Sequence, residues 1–411
     1  MNPEDQDKAP KRYDPEIMAY VHELVCQLFC NGLNPLQIVK EVKAKCGVEL
    51  NQKQPHNILH QEHAKFRFLT TTYNALTDAI EREFGRAGRK LGVTVTSTNL
   101  QEDLVRRAAQ TVWQLVQDRI RGESIQRVFS IGCSGGHTMK GWARAFRLVL
   151  RQPWETDLAP DKIVFKALVS GIDTDAAGTD PSSFFNYFSS GYDEGALVCE
   201  TEFELLKAAP ILPPRDHRRL RATGESDRPT ISEAFRRDRR CDVIVTSAGE
   251  LEDPHSQLRK CYEKYSTATL DRLRADNCVG DILWQPVNDY GVLDTSTHPF
   301  RTMALIDLTD LPDLIKRGTH VVLILGHCAG GCKLLRTRTL YLALRYHFVT
   351  DVVLTRETAD SLLRLVRTIR EMRSALTAEK PADPQKFLAE RGVTDLMEQL
   401  LILSEAPALR P

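Results

Sequence analysis

Two glycine-rich stretches of this chain carry the groups that hold an anion. The first reads Cys133-Ser134-Gly135-Gly136-His137-Thr138-Met139 and follows the apolar run RVFSIG. A strand, a Gly-Gly turn and a helix start bearing a hydroxyl aim backbone N–H groups and the positive end of a helix dipole at one point, where a phosphate fits. The alternative is a tight strand-to-helix turn with no ligand. The turn lacks the Lys-Ser or Lys-Thr ending of a Walker loop and the third glycine of a dinucleotide fingerprint, so nucleotide hydrolysis is disfavoured and no cofactor is expected. The second stretch, His327-Cys328-Ala329-Gly330-Gly331-Cys332-Lys333, follows HVVLILG and places Lys333 at a helix start, with Arg336 and Arg338 nearby. A lysine there is a natural point charge for a phosphate or carboxylate, unless it is simply an exposed lysine.

Between these turns lies Gly280-Asp281-Ile282-Leu283-Trp284-Gln285-Pro286-Val287-Asn288-Asp289-Tyr290-Gly291, rich in groups that bind sugar hydroxyls. Cys133 with His137, and His327-Cys328 with Cys332, are conceivable metal ligands, but none has CxxC spacing and no metal is expected. The ten cysteines are scattered, as suits thiols in a reducing compartment. No apolar run approaches the length of a membrane span and the polar start MNPEDQDKAPKRY has no signal-peptide core, so a cytoplasmic protein with no membrane partner is expected. With 55 basic against 55 acidic residues there is no global attraction to polyanions, and any nucleic-acid binding must come from a local patch.

The elements that position these groups read as an α/β fold. Residues 1–14 form a disordered lead. Residues 15–70 carry three short helices: Ile17, Met18, Val21, Leu24, Val25 and Leu28 recur at helical spacing, Asn34-Pro35 opens a second helix ending at Gly47, and a third runs from about Gln54. Residues 71–92 read as a connecting helix. From 93 to 378, short β-rich runs (VTVTS, RVFSIG, KIVFKALVS, ALVCE, CDVIVTSAG, MALIDL, HVVLILG and FVTDVVL) alternate with amphipathic helices. That alternation predicts crossover units and a doubly wound, mostly parallel sheet with ligands beyond the carboxyl ends of its strands. The proline-containing stretch 210–240, with nine arginines against five acidic residues, reads as a long loop. Residues 379–411 read as a helical tail, apolar-striped around Phe387 to Leu403.

Five short motifs in one order resemble the effector-binding domain of the SorC family of sugar-responsive transcriptional regulators. They are SGGHTM at 134, CDVIVTSAG at 241, GDILWQPVNDYG at 280, AGGCK at 329 followed by LYLAL at 340, and FVTDVVLTRETADSLL at 348. The resemblance spans roughly residues 73–375. It implies a fold similar to the glucosamine-phosphate deaminase and ribose-phosphate isomerase group, sensing a sugar or sugar phosphate without turnover, in a homo-oligomer, dimer or tetramer. It implies that Gly135, Gly136, His137 and Thr138 hold a phosphate and that Lys333 touches the ligand; His137 stands where the family carries a second hydroxyl. The effector-binding set expected is Ser134, Gly135, Gly136, His137, Thr138, Gly280, Asp281, Gln285, Gly331 and Lys333, with no catalytic residue.

The family's amino-terminal module is a helix-turn-helix, and Gly32-Leu33-Asn34-Pro35-Leu36-Gln37-Ile38 is similar to its turn into the second helix. Residues 35–70 carry six Lys or Arg against three Glu. Gln52, Lys53, Gln54, His56, Asn57, His60 and Lys65 are the candidates for reading base edges and phosphates of double-stranded DNA. The expected function is therefore a DNA-binding transcriptional regulator controlled by a sugar or sugar phosphate. The alternatives are an isomerase- or deaminase-like enzyme with Asp281 or His137 as proton carrier, and a sugar sensor whose front module binds protein.

Overall fold

The computed structural model describes residues 15–30, 33–61, 73–85, 91–122, 128–151, 159–170, 178–189, 197–206, 209–223, 239–328, 332, 334–379 and 386. The chain divides into two compact units, Met1–Thr72 and Tyr73–Pro411. The stretch 387–403, Gly331, Lys333 and Lys65 lie outside the described residues, as does the side chain of His60.

The first unit holds α1 (Pro15–Cys30), α2 (Pro35–Cys46) and α3 (Gln54–Gln61). Asn34 starts α2 through a reciprocal cap: Gln37 N–H donates to its side chain at 3.0 Å, and Asn34 N–H donates to the Gln37 side chain at 2.9 Å. Pro35 sits at the first helical position and Gly47 closes the helix in the left-handed region at φ 67°. Val21, Leu24, Val25 and Leu28 of α1 meet Ile38 and Val42 of α2, Val48 and Leu50 of the following turn, and Ile58 of α3 in one apolar core. Residues 47–53 separate α2 from α3, a longer link than the roughly 3–4 residues of a standard helix-turn-helix.

In the second unit the strands are β1 (Gly92–Thr96), β2 (Val128–Cys133), β3 (Lys162–Ala167), β4 (Glu200–Glu204), β5 (Ile211–Leu212), β6 (Val243–Thr246), β7 (Ala248–Glu250), β8 (Gly280–Ile282), β9 (Gln285–Asn288), β10 (Gly291–Val292), β11 (Arg301–Thr302), β12 (His320–Leu325) and β13 (Asp351–Thr355). The helices are α4 (Asn74–Phe84), α5 (Gln101–Gly122), α6 (His137–Val149), α7 (Pro181–Phe184), α8 (Pro214–Thr223), α9 (Gln257–Tyr265), α10 (Thr267–Ala275), α11 (Leu311–Lys316), α12 (Thr337–Arg345) and α13 (Arg356–Glu379). The central sheet runs β1-β13-β12-β6-β2-β3-β4. Every pairing in it is parallel. Its inner strands are near-continuous apolar runs because helices bury both faces, as in HVVLIL, where all but His320 are buried.

From β2 the chain winds outward to β3 and β4, then returns to β6 on the other side of β2 and winds on to β12 and β13. The sheet's topological switch therefore lies between β2 and β6, where a crevice opens at the carboxyl ends of the strands. Ser134 N–H donates to Val245 O at 3.1 Å and ties the end of β2 to that of β6. The small antiparallel sheet β10-β9-β8-β7 adjoins this end, because β7 follows β6 after Ser247 alone. Helix α6 is anchored by an aromatic cluster: Trp142 stacks on Phe146 with centroids 5.0 Å apart, and Phe146 meets Phe165 and Phe188 edge-on.

Three expectations are corrected. ALVCE enters the sheet only at its last residue: Val198 N–H donates to Leu150 O at 2.8 Å as a lead-in, and β4 begins at Glu200. MALIDL is buried but among the described residues joins no ladder beyond one bridge, Val169 to Ala304, since Met303 and Leu305 donate to the loop carbonyls of Pro210 and Leu168. The stretch 210–240 is not all loop: β5 and then α8 occupy its first half, the helix opening at Pro214 and, among its described side chains, burying only His217 and Leu220.

Candidate effector-binding cleft

Three strand ends and three helix starts converge at the switch point. The loop after β2 leads into α6, the turn after β7 into α9, and the turn after β12 into α12, and each contributes walls to one solvent-open cleft. Each helix start carries roughly half a positive charge on amides that lack an intrahelical acceptor. The amides of His137, Thr138 and Met139 are of this kind, and Gly136 before them offers no side-chain cap. Gly136 adopts φ 113°, a region favouring glycine, and spends its own N–H on Thr179 O at 2.7 Å.

Of the expected effector-binding residues, Gly135, Gly136, His137, Thr138 and Asp281 line the cleft. Ser134 does not; its buried hydroxyl has no hydrogen-bond partner among the described residues. Gln285 lies away from the wall with both ends of its amide committed, donating to Ile306 O at 2.9 Å and accepting from Leu308 N–H at 3.0 Å. Gly280 is needed for strand pairing: a Cβ there would lie 2.1 Å from Gly249 O.

Several wall residues stand outside the expected effector-binding set, although Arg336 and Trp284 lie in stretches that the sequence singles out. Arg336, buried and in the left-handed region at φ 49°, donates from Nη2 to Asp253 Oδ2 at 3.2 Å, while its buried Nε has no hydrogen-bond partner among the described residues. Trp284 and Leu283 form the two-residue turn between β8 and β9 at φ 60° and 51°. Both bulky residues thus occupy a turn geometry that favours Asn-Gly, at a cost of about 1–2 kcal/mol each. The turn brings the indole over the glycine loop, where Gly135 leaves room for it: a Cβ on Gly135 would lie 3.0 Å from Trp284 Cζ2. His255 and Ser256 complete the turn before α9, and the Ser256 hydroxyl caps that helix by accepting from Arg259 N–H at 3.3 Å.

The cleft has a positive field. Burial holds the His137 imidazole below its ordinary value, and Lys260, Lys140, His255 and Arg336 push it the same way, so the ring stays neutral at physiological pH. Two buried carboxylates respond in opposite directions. Burial opposes ionisation of Asp253, but its bonds from His255 N–H and the thiols of Cys328 and Cys332, together with the Arg336 charge, hold it below the usual range. Burial dominates at Asp281 and pushes it up to about 7 despite Arg336 and the Trp284 N–H.

In the first unit, Gln52, Lys53, His56 and Asn57 are exposed at the start of α3. Gln54 is already engaged, its side chain accepting from Asn51 N–H at 2.6 Å in a cap of α3.

No family model matches the chain, and no curated protein matches it either. Solved structures do. The solved structures similar to this chain include SorC- and DeoR-type transcriptional regulators. A DeoR family transcriptional regulator from Listeria monocytogenes is 17% identical, covering 70% of this chain and 98% of its own, with a TM-score of 0.47. The full-length sorbitol operon regulator SorC from Klebsiella pneumoniae is 15% identical, covering 85% and 100%, also at 0.47. A domain described as the sugar-binding part of a transcriptional repressor from Vibrio fischeri is 13% identical, covering 72% and 100%, at 0.49. At these values the likeness is one of general architecture and decides nothing about the chemistry of the cleft. No helix among the described residues is long and apolar enough to cross a membrane.

Proposed function

We propose that the chain is a transcriptional regulator that senses a sugar phosphate in the switch-point cleft and binds duplex DNA through its amino-terminal helices. The observation that carries this reading is Arg336, a buried cation held in an unusual backbone conformation with Nε unpartnered, lining the same cleft as the open first turn of α6. A phosphate there accepts from α6 amides, the Thr138 hydroxyl and Arg336. The Trp284 ring offers an apolar face to a sugar ring, and protonated Asp281 donates to a hydroxyl. Lys333 supplies a further charge. On the α3 face, Lys53 contacts phosphate while His56 and Asn57 meet base edges. Effector and operator are coupled only to the extent that the effector prefers one state of the homo-oligomer over another. The compartment that suits this role is the cytoplasm.

The test is a thermal-shift screen of the full chain against phosphorylated and free sugars, followed by selection of bound duplexes from a random pool with and without each hit. A phosphorylated hit that changes recovery of an enriched sequence supports the reading; failure to enrich any sequence removes the DNA role. One observation favours a second reading. A carboxyl titrating at about 7 inside a cleft is suited to proton transfer, as in a sugar-phosphate isomerase. Every hit is therefore assayed for turnover, and consumption of the ligand that Asp281→Asn abolishes without loss of binding would install the enzyme in place of the sensor.

A further inference from the structure

Asp253, His255, Cys328 and Cys332 come from turns more than seventy positions apart in the chain, yet their ligand atoms all lie within 4.8 Å of one another. Asp253 Oδ1 is 3.2 Å from Cys332 Sγ, 3.5 Å from Cys328 Sγ and 3.5 Å from His255 Nδ1. Around a tetrahedral zinc ion with bonds of about 2.0–2.3 Å, neighbouring ligand atoms stand about 3.4–3.8 Å apart, so these spacings need only small adjustments. The Cys328-x-x-x-Cys332 spacing falls within the range of paired zinc cysteines.

Two further observations point to a ligand at this cluster. Asp253 is wholly buried, and its Oδ1, which accepts the His255 backbone N–H at 2.8 Å, is otherwise faced by two weak thiol donors. His255 Nδ1 is buried with no hydrogen-bond partner among the described residues. A cation resolves both, accepting the imidazole lone pair and replacing the thiol protons. Of the groups weighed from sequence alone, Cys328 and Cys332 come together here, whereas Cys133 lies buried in the core and His327 Nε2 pairs with Glu357 at 2.9 Å.

We propose that Asp253, His255, Cys328 and Cys332 form a closed structural zinc site that pins together the turns after β7 and β12. Two thiolates and an imidazole select zinc over magnesium or calcium, and four protein ligands leave no open position for catalysis. Binding releases the two thiol protons to solvent, so affinity falls as pH is lowered. The carboxylate and two thiolates carry three negative charges against two on zinc. Arg336, bonded to the other oxygen of Asp253, neutralises the remainder. Coordination through Nδ1 also fixes the His255 proton on Nε2. The site stands independently of the sugar-sensing reading, and its test involves neither sugar nor DNA.

Full-length protein, purified in reductant and stripped with a chelator, is titrated with cobalt(II) and then zinc. The expected result is one equivalent of cobalt per chain with the thiolate charge-transfer and intense visible bands of a tetrahedral site, bleached when zinc displaces it. Cys332→Ser and His255→Ala should each weaken zinc binding by more than about a hundredfold, beyond what loss of an outer-sphere partner causes. Cys199→Ser, a half-buried thiol outside the cluster, should leave it unchanged. Absence of a thiolate-to-cobalt band in the wild-type protein overturns the site whatever the variants do, as does full retention of that band in the Cys328→Ser, Cys332→Ser double variant.

Discussion

Asp281→Asn isolates the electrostatic cost of the cleft. The wild-type carboxyl is buried and titrates at about 7 in the folded protein, against an ordinary 3.8. Between these values the folded state holds a proton that the unfolded chain has released, so stability falls as pH rises and the loss is complete above the folded value. At about 1.36 kcal/mol for each step of one, the full cost is roughly 4 kcal/mol, an upper limit because water reaching the cleft would relieve part of it. Asparagine has nearly the same shape and no charge, so the variant should lack this slope. The assay is urea unfolding between pH 4.5 and 8.5 in chelator, which removes any bound metal from the comparison. Trp113, Trp142, Trp154 and Trp284 are the chain's four tryptophans, so selectively excited tryptophan fluorescence follows the larger unit alone. The stability of the Asp281→Asn variant relative to wild type should grow by about 1.4 kcal/mol per pH step up to neutrality and then level off. A difference that stays constant within about 0.5 kcal/mol across the range would refute the assignment of a neutral Asp281 to the cleft.

Other perturbations separate the parts of the proposed site. Thr138→Val removes one hydroxyl and should weaken a phosphorylated ligand about threefold to tenfold in calorimetric titration, whereas Arg336→Gln should weaken it about tenfold to a hundredfold. Arg336→Gln should also lower stability by about 3–5 kcal/mol, because it leaves the buried Asp253 carboxylate without its ion pair. Trp284→Asn puts a residue that tolerates the left-handed region into the β8–β9 turn, so the melting temperature should hold or rise while sugar affinity falls by up to about tenfold; unchanged affinity would remove the indole from the site. In gel shifts, Lys53→Ala should reduce affinity for all duplexes and lower the salt slope by about one, whereas Asn57→Ala should relax sequence preference.

What the sequence reveals follows the reach of each interaction. The inner strands are legible because burial on both faces forces unbroken Val, Leu and Ile runs, and the α2 boundaries are legible because Asn34, Pro35, Gln37 and Gly47 act within a few residues of themselves. MALIDL misleads because burial alone produces the same apolar run as a ladder. Helix α8 is hidden because only two of its described side chains, His217 and Leu220, are buried, too few to set a period. The first glycine loop is legible for the same local reason as α2. Trp284 and Arg336 lie in stretches the sequence singles out, but their place in the wall is not legible, since each stands in a backbone region that its residue type rarely occupies and local preference argues against the geometry they adopt. The turn Asp253-Pro254-His255-Ser256 carries ordinary turn and cap signals, and nothing nearby in sequence shows that Cys328 and Cys332 will arrive beside it.

The two buried acids show why the switch point makes a site of these residues. Both Asp253 and Asp281 are buried, Asp281 in the cleft wall and Asp253 bonded to the wall residue Arg336, and desolvation alone would protonate each. Asp253 receives a backbone N–H at 2.8 Å, two thiols and the Arg336 guanidinium, so it remains an anion and anchors Arg336. Asp281 has the Trp284 N–H and the more distant Arg336 charge, and the negative charge of Asp253 counts against it. One carboxyl is thereby kept as a charge that orients a cation, and the other as a proton donor at neutral pH, a division of roles set by their surroundings. The phosphorylated effector proposed for this cleft would use both, an oriented cation for its anionic end and a donor for its hydroxyls, with the three helix starts adding a positive field.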